Sequence, residues 1–296
     1  MKLKGIYTPI ATPFSGEKIA FDKLEENLSF WNSSKLEGLV VMGSNGEAVS
    51  FREAEKEEMI RFCCKHSKGK KKVIIGTGSN STSETLHLCN VAAENGADAM
   101  LVITPYFYKG GMSDSVLNQY YTEVADKSPL PIVIYNMPPN TGVNTSASLL
   151  TALSKHPNII GVKDTGGNIM QIAETIKGAD PSFAVFAGNW GFFFPSLMLG
   201  AQGATVALGN ILPNECHELI ELVEKGEIDK AREHAFKYAP VNNAITAKYG
   251  IGGLKIAMEF VGLHGGEPRS PLRRPGKEAV DDIRGILERA GVSIKK

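Results

Sequence analysis

Lys163 is a lone lysine in the otherwise apolar run NIIGVKDTGG. Burial strips an ammonium of water, lowers its pKa and leaves the neutral amine that can attack a carbonyl carbon. That is the chemistry of a Schiff-base nucleophile. Tyr135 closes the apolar run PIVIYNMP, one strand candidate earlier. A phenol beside such an amine can carry protons to and from a carbinolamine and a nascent alkoxide. The third feature is the cluster GSNGE, residues 43–47, which halts the run EGLVVMG. Its glycines let the backbone approach a ligand and aim N–H groups at an anion, while Ser44 and Asn45 add side-chain donors. The loop has neither a Walker pattern nor a lysine or arginine, so a small carboxylate suits it better than a phosphate. Plainer readings stand beside these: Lys163 as a strand-end lysine that snorkels to water, Tyr135 as a packed aromatic, the loop as a turn.

These residues need elements that bring them together. Eight apolar runs, at 5–14, 37–43, 72–78, 97–105, 131–138, 158–166, 183–189 and 203–210, alternate with segments of helical period. The latter lie near 22–35, 51–67, 81–95, 113–127, 145–154, 168–177, 190–199 and 213–224. The alternation predicts a parallel sheet with crossover helices. Eight units in about 225 residues fit a TIM (β/α)8 barrel better than an open sheet. Runs apolar at nearly every position suit strands covered on both faces. Beyond residue 225 the strand signal stops, and helical segments near 227–248, 251–262 and 276–291 predict a C-terminal helical appendage. The expected division is a barrel with the active site over 1–225 and a helical region over 226–296. Chemistry in such a barrel sits at the C-terminal strand ends, where Lys163, Tyr135 and Ser44 all fall.

Composition narrows the class further. Lys+Arg and Asp+Glu both number 32, so no net field draws the chain to nucleic acid or an anionic membrane. The basic run KGKKK, 68–72, reads as a solvated loop. Four cysteines without CxxC spacing read as reduced thiols of a cytoplasmic protein, and the scattered histidines form no metal-ligand pattern. No metal and no cofactor are expected. The first residues, MKLKGIYTPIATPF, are broken by two prolines and read as neither a signal peptide nor a membrane span.

In order along the chain, GSNGE follows strand two, ITPYFY strand four, YNMPPNTG strand five and AGNW strand seven, with GVKDTGG in strand six. Together they resemble the dihydrodipicolinate synthase/N-acetylneuraminate lyase family of pyruvate-dependent class I aldolases, over essentially the whole chain. The resemblance implies a homotetramer, a dimer of dimers, in which Lys163 forms an imine with pyruvate. Tyr135 would be the principal acid/base and Ser44 part of its relay. Asn45 and the backbone near Thr205 would hold the carboxylate, and Gly188 would lend its carbonyl.

Four positions depart from the synthase pattern. Those enzymes usually carry arginine where this chain has Asn140, and Thr-Thr where it has Ser44 and Asn45. With SKHPNIIGVKDTGG and KGGMSD, these features look more like 4-hydroxy-2-oxoglutarate and 2-keto-3-deoxy-sugar-acid aldolases. The family's relay tyrosine from a neighbouring subunit falls at Phe107, which has no hydroxyl, leaving Tyr108, Tyr106 or water for that role. The expected function is therefore a lyase joining pyruvate to a short aldehyde held near Asn140. The alternatives are a 4-hydroxy-tetrahydrodipicolinate synthase and, from another class, a catalytically silent barrel that serves as a binding module.

Overall fold

The computed structural model describes residues 3–295. Eight parallel strands close into a barrel: β1 (Gly5–Pro9), β2 (Gly38–Val41), β3 (Lys72–Gly76), β4 (Ala99–Ile103), β5 (Ile132–Asn136), β6 (Ile159–Asp164), β7 (Ala184–Ala187) and β8 (Gly203–Thr205). Each pairs with its neighbours in sequence, and β8 closes on β1. All eight apolar runs are strands, each shorter than its run. The first stops at Pro9, and past Ile10, whose N–H still reaches the Val40 carbonyl at 3.0 Å, a side chain replaces the ladder. Ala11 N–H donates to Asn210 Oδ1 at 3.0 Å, and Asn210 Nδ2 donates back to the Pro9 carbonyl at 3.0 Å. The rest of that run enters a small antiparallel hairpin, Phe14–Ser15 with Lys18–Ile19, which the sequence pattern did not predict.

The crossover helices are α1 (Phe21–Ser33), α2 (Glu53–Ser67), α3 (Thr82–Glu94), α4 (Asp114–Lys127), α5 (Ala147–Leu153), α6 (Ile169–Gly178), α7 (Phe193–Met198) and α8 (Pro213–Glu224). Local chemistry starts several of them. Asn168 Oδ1, for example, accepts the N–H groups of Met170 and Gln171 at the head of α6. The C-terminal helices are α9 (Ile228–Asn243), α10 (Gly250–Phe260) and α11 (Lys277–Arg289), with a π-helical turn, Ala244–Lys248, between the first two. No helix among the described residues is long and apolar enough to cross a membrane.

Two cores result from the alternation along each strand. Ile132 and Ile134 of β5 face outward into the layer between strands and helices, which continues without a break into Leu254 and Ile256 of α10 and Leu287 of α11. Val133 and Tyr135 face the lumen, with Tyr7, Val40, Leu101 and Phe186. The basic run is exposed as its composition suggested, except at the half-buried Lys71. Lys71 Nζ donates to the Ser34 carbonyl at 2.6 Å, and Lys72 pairs with Asp98 at 2.6 Å.

Candidate active site

The register of β5 on β6 sets Tyr135 beside Lys163 and Asn136 beside Asp164. Lys163 is 3% exposed and Tyr135 4%, so the lysine does not snorkel to water. Its Nζ stands 3.9 Å from the centroid of the Tyr135 ring. The Tyr135 hydroxyl is in turn 2.9 Å from Ser44 Oγ, with either oxygen able to donate. An amine, a phenol and a hydroxyl therefore follow one another at the C-terminal mouth of the barrel.

Asp164 points the other way, as strand alternation requires. Its Oδ1 accepts the Gly166 N–H at 2.7 Å, and its Oδ2 accepts Asn136 Nδ2 and Gln171 Nε2, both at 3.0 Å. Asn136 Oδ1 accepts the Thr145 N–H at 2.9 Å. This buried polar clasp fixes the ends of β5 and β6 at the register that puts Tyr135 next to Lys163.

Ser44 belongs to a single 3-10 turn, Ser44–Gly46, bracketed by Met42 and Glu47, both at φ 58°. A left-handed backbone costs an ordinary residue about 1–2 kcal/mol, so this turn is held against its local preference. Gly76 makes the first bend feasible: a Cβ there would lie 2.3 Å from the Met42 carbonyl oxygen. The N–H groups of Gly46 and Glu47 are taken by the carbonyls of Gly43 and Ser44, at 3.0 and 3.1 Å. The anion cradle expected of this loop therefore cannot draw on those two amides. Asn45 Nδ2 is buried and has no hydrogen-bond partner among the described residues, a donor suited to a carboxylate.

Gly188 follows β7 and donates its N–H to the Asp164 carbonyl at 2.6 Å. A Cβ at Gly188 would fall 2.0 Å from Thr165 Oγ1, so only glycine lets the backbone approach the end of the lysine strand so closely. Thr205, 5% exposed, ends β8 opposite Tyr7 of β1. Burial pushes the Tyr7 phenol up to about 12, with Glu37 and Asp98 adding to it.

The remaining predicted residues lie outside the lumen. Asn140 is exposed on a short helical turn, Pro138–Thr141, after β5. Beside it, at Gly142, a Cβ would stand 3.3 Å from Lys109 Cδ and 3.7 Å from Lys109 Nζ, so the lysine lies across this turn. Phe107 and Tyr108 are 72% and 75% exposed, their rings edge to face at 5.0 Å. Among the described residues the Tyr135 hydroxyl is hydrogen-bonded to Ser44 and to neither of these two. Among the described residues no group of three or more His, Cys, Asp or Glu side chains is arranged to hold a metal ion.

The sequence reading missed the group behind the Ser44 turn. Glu47 is buried and pairs with Lys255 of α10, Oε1 to Nζ at 2.7 Å. Desolvation holds the Lys255 ammonium below the usual lysine range despite the attraction of Glu47. The available signal was the one that revealed Lys163, a single lysine in an apolar run, here GLKIAM.

A profile described as the dihydrodipicolinate synthetase family matches residues 2–290. The chain is 34% identical over 290 residues to the 4-hydroxy-tetrahydrodipicolinate synthase of Methanospirillum hungatei JF-1, covering 97% of this chain and 99% of that protein. The crystal structure of dihydrodipicolinate synthase from Aquifex aeolicus superposes with a TM-score of 0.94 at 30% identity, over 99% of this chain and 100% of that one. The chloride-inhibited dihydrodipicolinate synthase of Acinetobacter baumannii, complexed with pyruvate, superposes with a TM-score of 0.92 at 27% identity, over 98% and 99%.

Proposed function

This chain belongs to the dihydrodipicolinate synthetase family and is a pyruvate-dependent Schiff-base lyase; we propose that its aldehyde partner is aspartate semialdehyde, which makes it a 4-hydroxy-tetrahydrodipicolinate synthase. The observation that carries this reading is the end-to-end likeness to proteins that bear that name. It supports the synthase better than the aldolase that the Asn140 and Ser44 motifs led us to expect. Lys109 lends further support, because its ammonium lies across the turn that carries Asn140. A cation there can grip the aldehyde's carboxylate where the family's arginine is missing, although as a point charge and not a bidentate fork.

The geometry supports the following roles. The Lys163 amine adds to C2 of pyruvate, and the Tyr135 phenol protonates the alkoxide that forms. As the carbinolamine loses water, the imine forms. Loss of a methyl proton gives an enamine, whose carbon attacks the aldehyde while the new alkoxide takes up a proton, and the amino group of the aldehyde substrate adds to the imine carbon, closes the ring and expels the lysine amine. Ser44 relays protons from Tyr135 across their 2.9 Å contact. Asn45 and the backbone at Thr205 hold the pyruvate carboxylate, and the Gly188 carbonyl faces the reacting end. In this reading residues 1–225 carry the chemistry, and 226–296 support it. The chain works as a homotetramer in the cytoplasm, the exposed pair of Phe107 and Tyr108 being suited to a subunit contact.

The test is a panel of condensations with pyruvate and aspartate semialdehyde, glyoxylate, glyceraldehyde or N-acetylmannosamine. The highest kcat/KM is expected for aspartate semialdehyde. Asn140 favours a second reading, since a neutral amide suits an aldehyde that offers hydroxyls or a short carboxylate. A preference of about tenfold or more for glyoxylate or glyceraldehyde, about 1.4 kcal/mol of transition-state binding, would establish the aldolase and retire the synthase.

A further inference from the structure

Glu47 ends the Ser44 turn, and both of its carboxylate oxygens are engaged by the C-terminal region. Oε1 meets Lys255 Nζ at 2.7 Å, and Oε2 accepts the backbone N–H of Arg269 at 2.8 Å. Lys255 Nζ, fully buried, also donates to the carbonyls of Thr12 at 2.8 Å and Glu267 at 2.9 Å. Thr12 Oγ1 reaches back to the Gly46 carbonyl at 2.9 Å. The turn is thus gripped at its last residue and at its back, both grips converging on one ammonium. Among the described residues no hydrogen bond or ion pair joins this cluster to Lys163 or Tyr135. What it grips is the segment that sets Ser44 Oγ on the Tyr135 hydroxyl, and it does so where Glu47 takes a backbone conformation a non-glycine residue rarely adopts.

We propose that Glu47 and Lys255 are positioning residues for the proton relay, holding the Ser44 hydroxyl on Tyr135 and so governing the rate of proton transfer. This rests on the relay reading given above. Without the grip the turn relaxes toward negative φ at Glu47, and the hydroxyl leaves its contact. The α10 helix then has a catalytic duty although it lies outside the barrel. Two steps link it to the chemistry, one ion pair and one turn.

The experiment is a double-mutant cycle on purified protein, with kcat and the KM for pyruvate measured separately and folding followed by thermal melting. Glu47→Gln should lower kcat by about ten- to a hundredfold, the scale of a catalytic group displaced by about 1 Å, with KM changed by less than about threefold. Ser44→Ala should be slow as well, and Ser44→Ala/Glu47→Gln no slower than Ser44→Ala alone, because both act through one hydroxyl. If Glu47→Gln does not fold, the same cycle is run on Glu47→Gln/Lys255→Met, which leaves no lone buried charge. Normal kcat in the Glu47 variant beside a slow Ser44→Ala overturns the positioning role and leaves the relay standing. Losses that multiply in the combined variant overturn it too. A normal Ser44→Ala removes the relay, and the positioning role falls with it.

Discussion

Lys163 in β6 and Lys255 in α10 are both set in apolar runs and both buried, 3% and 0% exposed, yet their surroundings are opposite. Lys255 has a counter-ion and acceptors: the Glu47 carboxylate stands 2.7 Å from its ammonium, which also donates to two carbonyls within 2.9 Å. Lys163 has the face of Tyr135 at 3.9 Å, and among the described residues no carboxylate comes within ion-pair distance of it. An ammonium tied to a buried carboxylate is a structural link, and removing either partner leaves the other uncompensated. Lys163 Nζ, held by no counter-ion at the C-terminal mouth of the barrel, is left open to a carbonyl carbon. Burial alone does not mark a nucleophile; burial without a counter-ion does.

The largest effect that would break this comparison is chemical. Borohydride with pyruvate should leave a reduced adduct on Lys163 and none on Lys255, and Lys163→Ala should have no measurable turnover. Peptide mass mapping checks the first and a condensation assay the second. An adduct on Lys255 would sink the distinction. Next in size is Tyr135→Phe, which keeps the ring beside Lys163 and removes only the hydroxyl. Its kcat should drop by about two to four powers of ten, the range for a positioned acid or base, with the melting temperature little changed. Wild-type turnover in that variant would make Tyr135 a packing residue.

The third prediction separates the two lysines by stability. Lys255→Met strands Glu47 as a lone buried carboxylate, so it should cost about 3–5 kcal/mol in urea unfolding. Glu47→Gln/Lys255→Met should recover part of that, and not all, since the Thr12 and Glu267 carbonyls still lose their donor. Lys163→Met leaves no ion unpaired and should cost less than Lys255→Met. Equal costs at the two sites would mean that the counter-ion around Lys255 does not matter.

The unequal legibility of the two lysines has a physical cause. A strand of a closed barrel is covered on both faces, so any charged residue within it is anomalous, and Lys163 stood out at once. A helix normally keeps a wet face, so a lysine in GLKIAM passes as that face, and its burial depends on the segment around Gly265, whose backbone packs on the Lys255 carbonyl. Its partner Glu47 is distant in sequence, and no local pattern joins them. The barrel itself was legible because each strand carries its own apolar run. The trimmed end of β1 was not, because the groups that cap it belong to Asn210, 199 residues beyond Ala11 in the chain. The roles of Asn140 and Phe107 stay with the sequence pattern alone, since both side chains lie on the surface of the chain.

The smallest predicted effect concerns the outer tie on the Lys255 side. Arg269, which gives its backbone N–H to Glu47, sets its guanidinium on Glu55 with two contacts of 2.8 Å. That hydrogen-bonded fork holds the Glu55 carboxyl below its ordinary value of 4.5, against the pull of burial. The unfolded chain therefore binds more protons than the folded one between the lowered folded value and 4.5. Stability rises with pH across that window, is fully present above it, and is lost as pH falls through the folded value. The partly exposed pair is worth about 1 kcal/mol at neutral pH, so Glu55→Gln should be less stable than wild type by that order. The gap should close as pH falls below 4.5, because protonation makes the wild-type carboxyl as neutral as the amide. Urea midpoints from about pH 7 to about pH 4 measure it directly. A gap that stays constant across the window would show that Glu55 stabilises by packing and not by charge.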